Sequence, residues 1–105
     1  MTSHIPKLRA TLLVIYTPNL ERCRIFYQAL GLAFEREQHG SGPEHYAAVL
    51  PGGTVFEIYP ATEHRHTGAI RLGFAVESQA LTPPLEPGRH LLTDPDGRTV
   101  EIDAQ

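Results

Sequence analysis

Apolar positions along the chain follow two periods, one short stretch of three-and-four spacing set among stretches of twos. Ala10 to Thr17 reads ATLLVIYT, β-branched, aromatic and almost wholly apolar. That composition predicts a central strand covered on both faces. Thr17-Pro18-Asn19 breaks the run. Pro18 suits a first helical position, and Thr17 or Asn19 suits a cap on the exposed N–H groups. Leu20, Cys23, Phe26, Tyr27 and Leu30 then form one stripe, which predicts a helix from Asn19 to Leu30. Gly31 stops it, because glycine tolerates the left-handed conformation that ends helices.

From there the period is two. Leu32 to Gln38, Tyr46 to Leu50 and Thr54 to Tyr59 read as strands, separated by the glycine- and proline-bearing loop His39–Glu44 and the turn Pro51-Gly52-Gly53. In Thr54–Tyr59 the alternation sets Phe56 and Ile58 on one face and Val55, Glu57 and Tyr59 on the other. Ala69 to Glu77 alternates cleanly, with Ile70, Leu72, Phe74 and Val76 against Arg71, Gly73 and Ala75. Pro83, Pro84 and Pro87 exclude a regular helix between Gln79 and Gly88. Arg89 to Thr93 is a short strand, Asp94-Pro95-Asp96-Gly97 a turn, and Arg98 to Asp103 the last strand, with Glu101 opposite Val100 and Ile102. Each half opens on a strand and closes on a carboxylate-bearing strand. Only the first half has a helix between them.

Composition narrows the function classes. The chain has 105 residues, 41% hydrophobic and 20% charged, which fits one globular domain. Such a domain buries roughly two-thirds of its unfolded surface. The formal net charge is −3, and no basic stripe with interleaved aromatics marks a nucleic-acid footprint. Cys23 is the lone cysteine, so no internal disulfide forms. No apolar run approaches the ~20 residues of a membrane helix. The opening MTSHIPKLRA has no signal-type stretch. The expectation is a cytoplasmic protein with no membrane and no nucleic-acid partner.

The segment LLVIYTPNLERCRIFYQALGL resembles the opening of the vicinal oxygen chelate superfamily, which includes glyoxalase I, bleomycin and fosfomycin resistance proteins and extradiol dioxygenases. The matching residues are Asn19-Leu20, Phe26-Tyr27 and Leu30-Gly31. DPDGRTVEI, Asp94 to Ile102, is similar to the family's second signature. The two signatures and the strands between them span nearly the whole chain. The resemblance implies an α+β fold of paired βαβββ modules whose sheets curl into an open cup. Module one runs from about 8 to 60 and module two from about 68 to 105 within the single domain 1–105. The second module is shortened and lacks its helix.

In glyoxalase-like members a divalent metal sits in the cup, held by one residue from the first and last strands of each module. Carried onto this chain, those positions are Leu12, Glu57, Arg71 and Glu101. Leu12 has no lone pair, and Arg71 stays protonated. No His, Gln or Glu lies in Ala10–Thr17 or Ala69–Val76, so a slip of one or two residues does not restore the set. Strand parity independently places Glu57, Arg71 and Glu101 away from the large apolar residues. A buried carboxylate pair costs several kcal/mol without compensation. Arg71 offers five donors and a fixed charge. The expectation is therefore a Glu57–Arg71–Glu101 charge cluster in place of the metal, in a ligand cavity lined by Leu12, Tyr16, Glu57, Tyr59, Arg71 and Glu101. No cofactor is expected. The alternative is a divalent Zn, Ni, Fe or Mn.

Other candidates have plainer readings. His64-Arg65-His66 reads as a solvated loop, and His39, His45 and His90 as residues flanking turns. A relocated metal site joining His45 or His90 to Glu57 is the sharper alternative. Tyr16, Tyr46 and Tyr59 line either a ligand cavity or the core. Cys23 sits on the helix stripe and reads as core rather than nucleophile. Gly40 and Gly42 precede no helix and form no phosphate loop.

Two functions remain. One is a metal-free protein binding an unidentified small molecule, as bleomycin-resistance-type members do. The other is a glyoxalase-like lyase or isomerase, or a dioxygenase relative, with Glu57 or Glu101 as general base. The broken ligand set favours the first. A third, plainer reading makes the cup vestigial and the protein a scaffold. Without its helix, the second half leaves the face of Ile70, Leu72, Phe74 and Val76 bare, and a homodimer is expected to cover it.

Overall fold

The computed structural model describes residues 6–105; the first half of the MTSHIPKLRA segment lies outside them. The predicted elements form, with shifted ends. β1 (Leu12–Thr17) leads into α1 (Leu20–Gln28), then β2 (Glu35–Glu37), β3 (His45–Val49) and β4 (Val55–Pro60). β5 (Leu72–Val76), a single 3-10 turn at Ser78–Ala80, β6 (Gly88–Thr93) and β7 (Thr99–Ala104) follow. Pro18 falls before the helix rather than in its first turn. Thr17 Oγ1 accepts from the Asn19 amide at 2.9 Å, and Asn19's own side chain caps nothing. Gly31 takes φ +103°, the left-handed stop its position required. No helix among the described residues is long and apolar enough to cross a membrane.

The strands form two sheets, ordered β1-β4-β3-β2 and β5-β7-β6. In each, the opening strand runs parallel to the closing one, which an antiparallel neighbour flanks. The echo between the halves is thus a shared topology: a βαβββ module followed by a βββ module without a helix. β1 is an edge strand, not the central strand its apolar run suggested. Leu12 is 56% exposed, while Ile15 and Thr17 are buried on the helix side.

A single core joins the two sheets. Tyr27 of α1 packs edge-on against Phe56 of β4 at 5.1 Å, and Phe56 stacks on Phe74 of β5 at 6.0 Å. Leu72, Val100, Ile102 and Ala104 are buried in the same cluster. One helix therefore serves both modules. Most of the bare face expected on β5 is covered: Leu72 is buried and Phe74 and Val76 pack against the core, while Ile70, ahead of the strand, stays exposed. That ground for a homodimer is reduced to Ile70.

The Asp94–Gly97 turn does more than reverse the chain. Arg98, 2% exposed, points inward and bonds Asp94 and Asp96 at 2.9 Å each. Its remaining N–H groups donate to the Thr67 carbonyl at 2.9 Å and the Gly68 carbonyl at 3.2 Å. Tyr27 donates to Asp94 at 2.6 Å, and Asn19 donates to Asp96 at 2.7 Å. Burial and the Asp94 carboxylate keep the Tyr27 hydroxyl protonated well above the ordinary tyrosine range. The second signature is thus a buried staple binding the β6–β7 hairpin to α1 and the Thr67–Gly68 loop.

This staple sets an acid limit. Burial pushes Asp96 up, but hydrogen bonds from Thr17 and Asn19 and the charge of Arg98 outweigh it and hold the carboxyl below its usual value. A depressed native value stabilises the fold above the unfolded pKa, about 3.9, and that stabilisation is lost as pH falls through the native value. Urea midpoints are expected to fall below about pH 4, and Asp96→Asn is expected to flatten that part of the profile.

Candidate functional site

On the four-stranded sheet, the side chains facing away from α1 follow from the register. Leu12, Val14 and Tyr16 of β1 lie beside Val55, Glu57 and Tyr59 of β4. Ala47 and Val49 of β3 lie on the far side of β4, with Glu35 of β2 beyond Ala47. The rings of Tyr16 and Tyr59 stand 5.7 Å apart, both half-buried. Arg65 lies over the Tyr16 ring at 5.9 Å.

Beside this aromatic pair sits His45, the first residue of β3. Its ring stacks on Tyr59 at 4.0 Å, nearly parallel, and is 1% exposed. Its Nδ1 lies 3.2 Å from the Pro43 carbonyl oxygen. A carbonyl only accepts, so Nδ1 carries hydrogen and donates. Nε2 points at two carboxylates, 3.4 Å from Glu37 and 3.5 Å from Glu57, yet forms no hydrogen bond. Glu37 lies 3.5 Å from Nε2 of His39, whose ring is 5.1 Å from that of His45.

The Glu57–Arg71–Glu101 cluster is not assembled. Glu57 lies with His45, and Glu101 is paired with Arg89. Arg71 is exposed, precedes β5, and among the described residues is ion-paired with neither carboxylate. The cause is topological. The carboxylates occupy different sheets, and each takes its partner from the antiparallel strand beside it, β3 or β6. The residue facing Glu57 across β1 is Val14, as unable to ligate as Leu12. The positions Leu12, Glu57, Arg71 and Glu101 do not fit a metal.

The remaining candidates separate cleanly. His64 and His66 are exposed. His90 bonds the Glu86 carbonyl through Nε2 at 2.6 Å and lies apart from Glu57's neighbours. Cys23 is fully buried beside Thr17, with burial raising its thiol pKa, as a core residue. Tyr46 is buried and donates to Glu21. A cavity of about 330 Å³ opens elsewhere, between the end of α1 and β5, lined by Leu30, Leu50, Phe74 and Val76. None of the six residues expected to line a cavity borders it. They lie instead on open sheet faces or ahead of a strand. The structure brings His45 to Glu57, the pair that the relocated-site alternative joined, and leaves His90 apart. Glu37 was the side chain hardest to see in the sequence. The available signal was the two-residue step from Glu37 to His39 and a hairpin that returns His45 opposite Glu37.

No protein-family model matches the chain, and no curated protein does. Solved structures match over nearly its full length. TnmS3, an antibiotic binding protein from a Streptomyces species, is 17% identical with a TM-score of 0.64, covering 96% of this chain and 98% of its own. A glyoxalase/bleomycin resistance protein from Albidiferax ferrireducens is 20% identical with a TM-score of 0.62, covering 90% and 97%. Lactoylglutathione lyase from Agrobacterium tumefaciens is 17% identical with a TM-score of 0.59, covering 95% and 96%. The fold of this chain is that of the glyoxalase, bleomycin resistance and dioxygenase proteins, with the second module reduced to three strands.

Proposed function

We propose that this chain binds a small organic molecule on the sheet face opposite α1, around Tyr16 and Tyr59. The Tyr16–Tyr59 pair carries this reading. Two aromatic rings stand half-buried on the face that the core does not use, flanked by Leu12, Val14 and Val55, with the carboxylate Glu57 among them. An apolar and aromatic surface with a few convergent polar groups is the usual make-up of a ligand site. The likeness to an antibiotic binding protein supports the same reading. A second copy closing over this face converts it into a cup, so the homodimer belongs to this proposal on new ground: Leu12, Val49 and Leu91 are exposed on the outer faces. A lyase, isomerase or dioxygenase role finds only two oxygen ligands at the family positions, held in separate sheets.

The test is a thermal-shift and calorimetric screen of planar aromatic compounds in the presence of chelator. Hits are expected, and Tyr16→Ala is expected to weaken them about two- to tenfold, the worth of one aromatic contact. Hits unaffected by Tyr16→Ala count against the face.

A further inference from the structure

We propose that Glu37, His39, His45 and Glu57 form a four-ligand site for a divalent transition metal of the zinc class. The site shares only Glu57 with the Leu12, Glu57, Arg71 and Glu101 positions and is built on the first sheet and the loop after β2. Glu37 ends β2, His39 follows two residues later, His45 opens β3, and Glu57 is central in β4. One ligand atom from each lies within 4.8 Å of all the others.

His45 is the decisive side chain. It is 1% exposed, its Nδ1–H is spent on the Pro43 carbonyl, and its buried Nε2 has no hydrogen-bond partner. In the neutral ring Nε2 presents a lone pair to two carboxylate oxygens, an arrangement that repels. In the protonated ring it calls for charge-assisted hydrogen bonds of about 2.7–2.9 Å. The observed separations are 3.4 and 3.5 Å. A cation between the three atoms satisfies them all. Tetrahedral zinc bonds of about 2.1 Å to imidazole nitrogen and carboxylate oxygen place neighbouring ligand atoms about 3.4 Å apart. The His39–Glu37 separation, 3.5 Å, is the third such edge.

The donor set fixes the metal class. Two imidazoles exclude magnesium and calcium, which take oxygen, and suit zinc and its transition-metal neighbours. Two carboxylates neutralise the dication. The Nδ1–H bond to Pro43 and the stacked Tyr59 ring hold His45 in one tautomer and one plane, the support that ligating histidines need. Four protein ligands close the coordination sphere, as in structural zinc sites. The three-residue edge strand β2 and the loop after it are thereby tied to β3 and β4.

The experiment is a calorimetric titration of the tag-free, chelator-stripped full chain with zinc sulfate, alongside the visible spectrum of the cobalt(II) form. One equivalent of zinc and the intense bands of tetrahedral cobalt are expected. His39→Ala, whose side chain is 73% exposed and unneeded for folding, is expected to weaken zinc at least tenfold. Glu57→Gln is expected to do the same. His64→Ala/His66→Ala, on the exposed loop, is expected to leave affinity unchanged. Zinc bound below one equivalent overturns the proposal, as does stoichiometric zinc that His39→Ala and Glu57→Gln leave untouched. Octahedral cobalt with full affinity overturns the four-ligand geometry.

Discussion

Arg98→Ala removes about 3–5 kcal/mol of folding stability, the usual consequence of leaving buried charges without their partner. Arg98 is the largest fully buried side chain. Its loss leaves Asp94, buried, and Asp96, nearly so, without their counter-ion and frees the Thr67 and Gly68 carbonyls. For a domain stabilised by roughly 5–15 kcal/mol, the change is large. At roughly 4–8 °C per kcal/mol, melting falls by well over ten degrees. The pH dependence identifies the cause. The Arg98 charge is part of what holds the Asp96 carboxyl low, so without it the variant loses less stability than the wild type as pH falls through the carboxylate range, and its deficit shrinks there. Urea midpoints for both proteins at pH 7 and about pH 3 read this directly. A deficit that is equal at both values points to lost packing instead.

The second large effect is at Phe56. It is fully buried and touches Tyr27, Phe34 and Phe74 at ring separations of 5.1, 5.9 and 6.0 Å. Helix, first sheet and second sheet all meet on this ring. Phe56→Ala is expected to cost about 3–5 kcal/mol in lost transfer energy and cavity. Guanidinium unfolding is expected to remain one transition with unchanged slope and an earlier midpoint. Two separate transitions would show that the sheets fold independently, contrary to a shared core.

Much of this architecture is legible in the chain. The helix stripe Cys23–Tyr27, the strand parities of Phe56 and Ile58, and the paired outline of the two halves depend on local periodicity, which side-chain burial enforces. The failures share one cause, the absence of register. Parity says that Glu57, Arg71 and Glu101 each face away from large apolar neighbours. It does not say which sheet each joins or which strand lies alongside. Arg89 and His45, supplied by neighbouring strands, therefore claimed the carboxylates. β1 misled for a related reason. Its outer residues Leu12, Val14 and Tyr16 are apolar without being in the core, and local pattern is the same for an apolar outer face and an apolar buried one. Arg98 was hidden by its charge, since a fully buried arginine is rare. The i,i+4 spacing from Asp94 to Arg98, one residue beyond the turn, was the clue to it.

The face around Tyr16 and Tyr59 is the proposed ligand site. The most direct measurement is a ¹H–¹⁵N correlation spectrum of the full chain titrated with the hits of the aromatic screen. Shift changes are expected to concentrate in Val14–Thr17 and Glu57–Tyr59. Changes confined to Leu30, Leu50, Phe74 and Val76, around the cavity beyond α1, would contradict it.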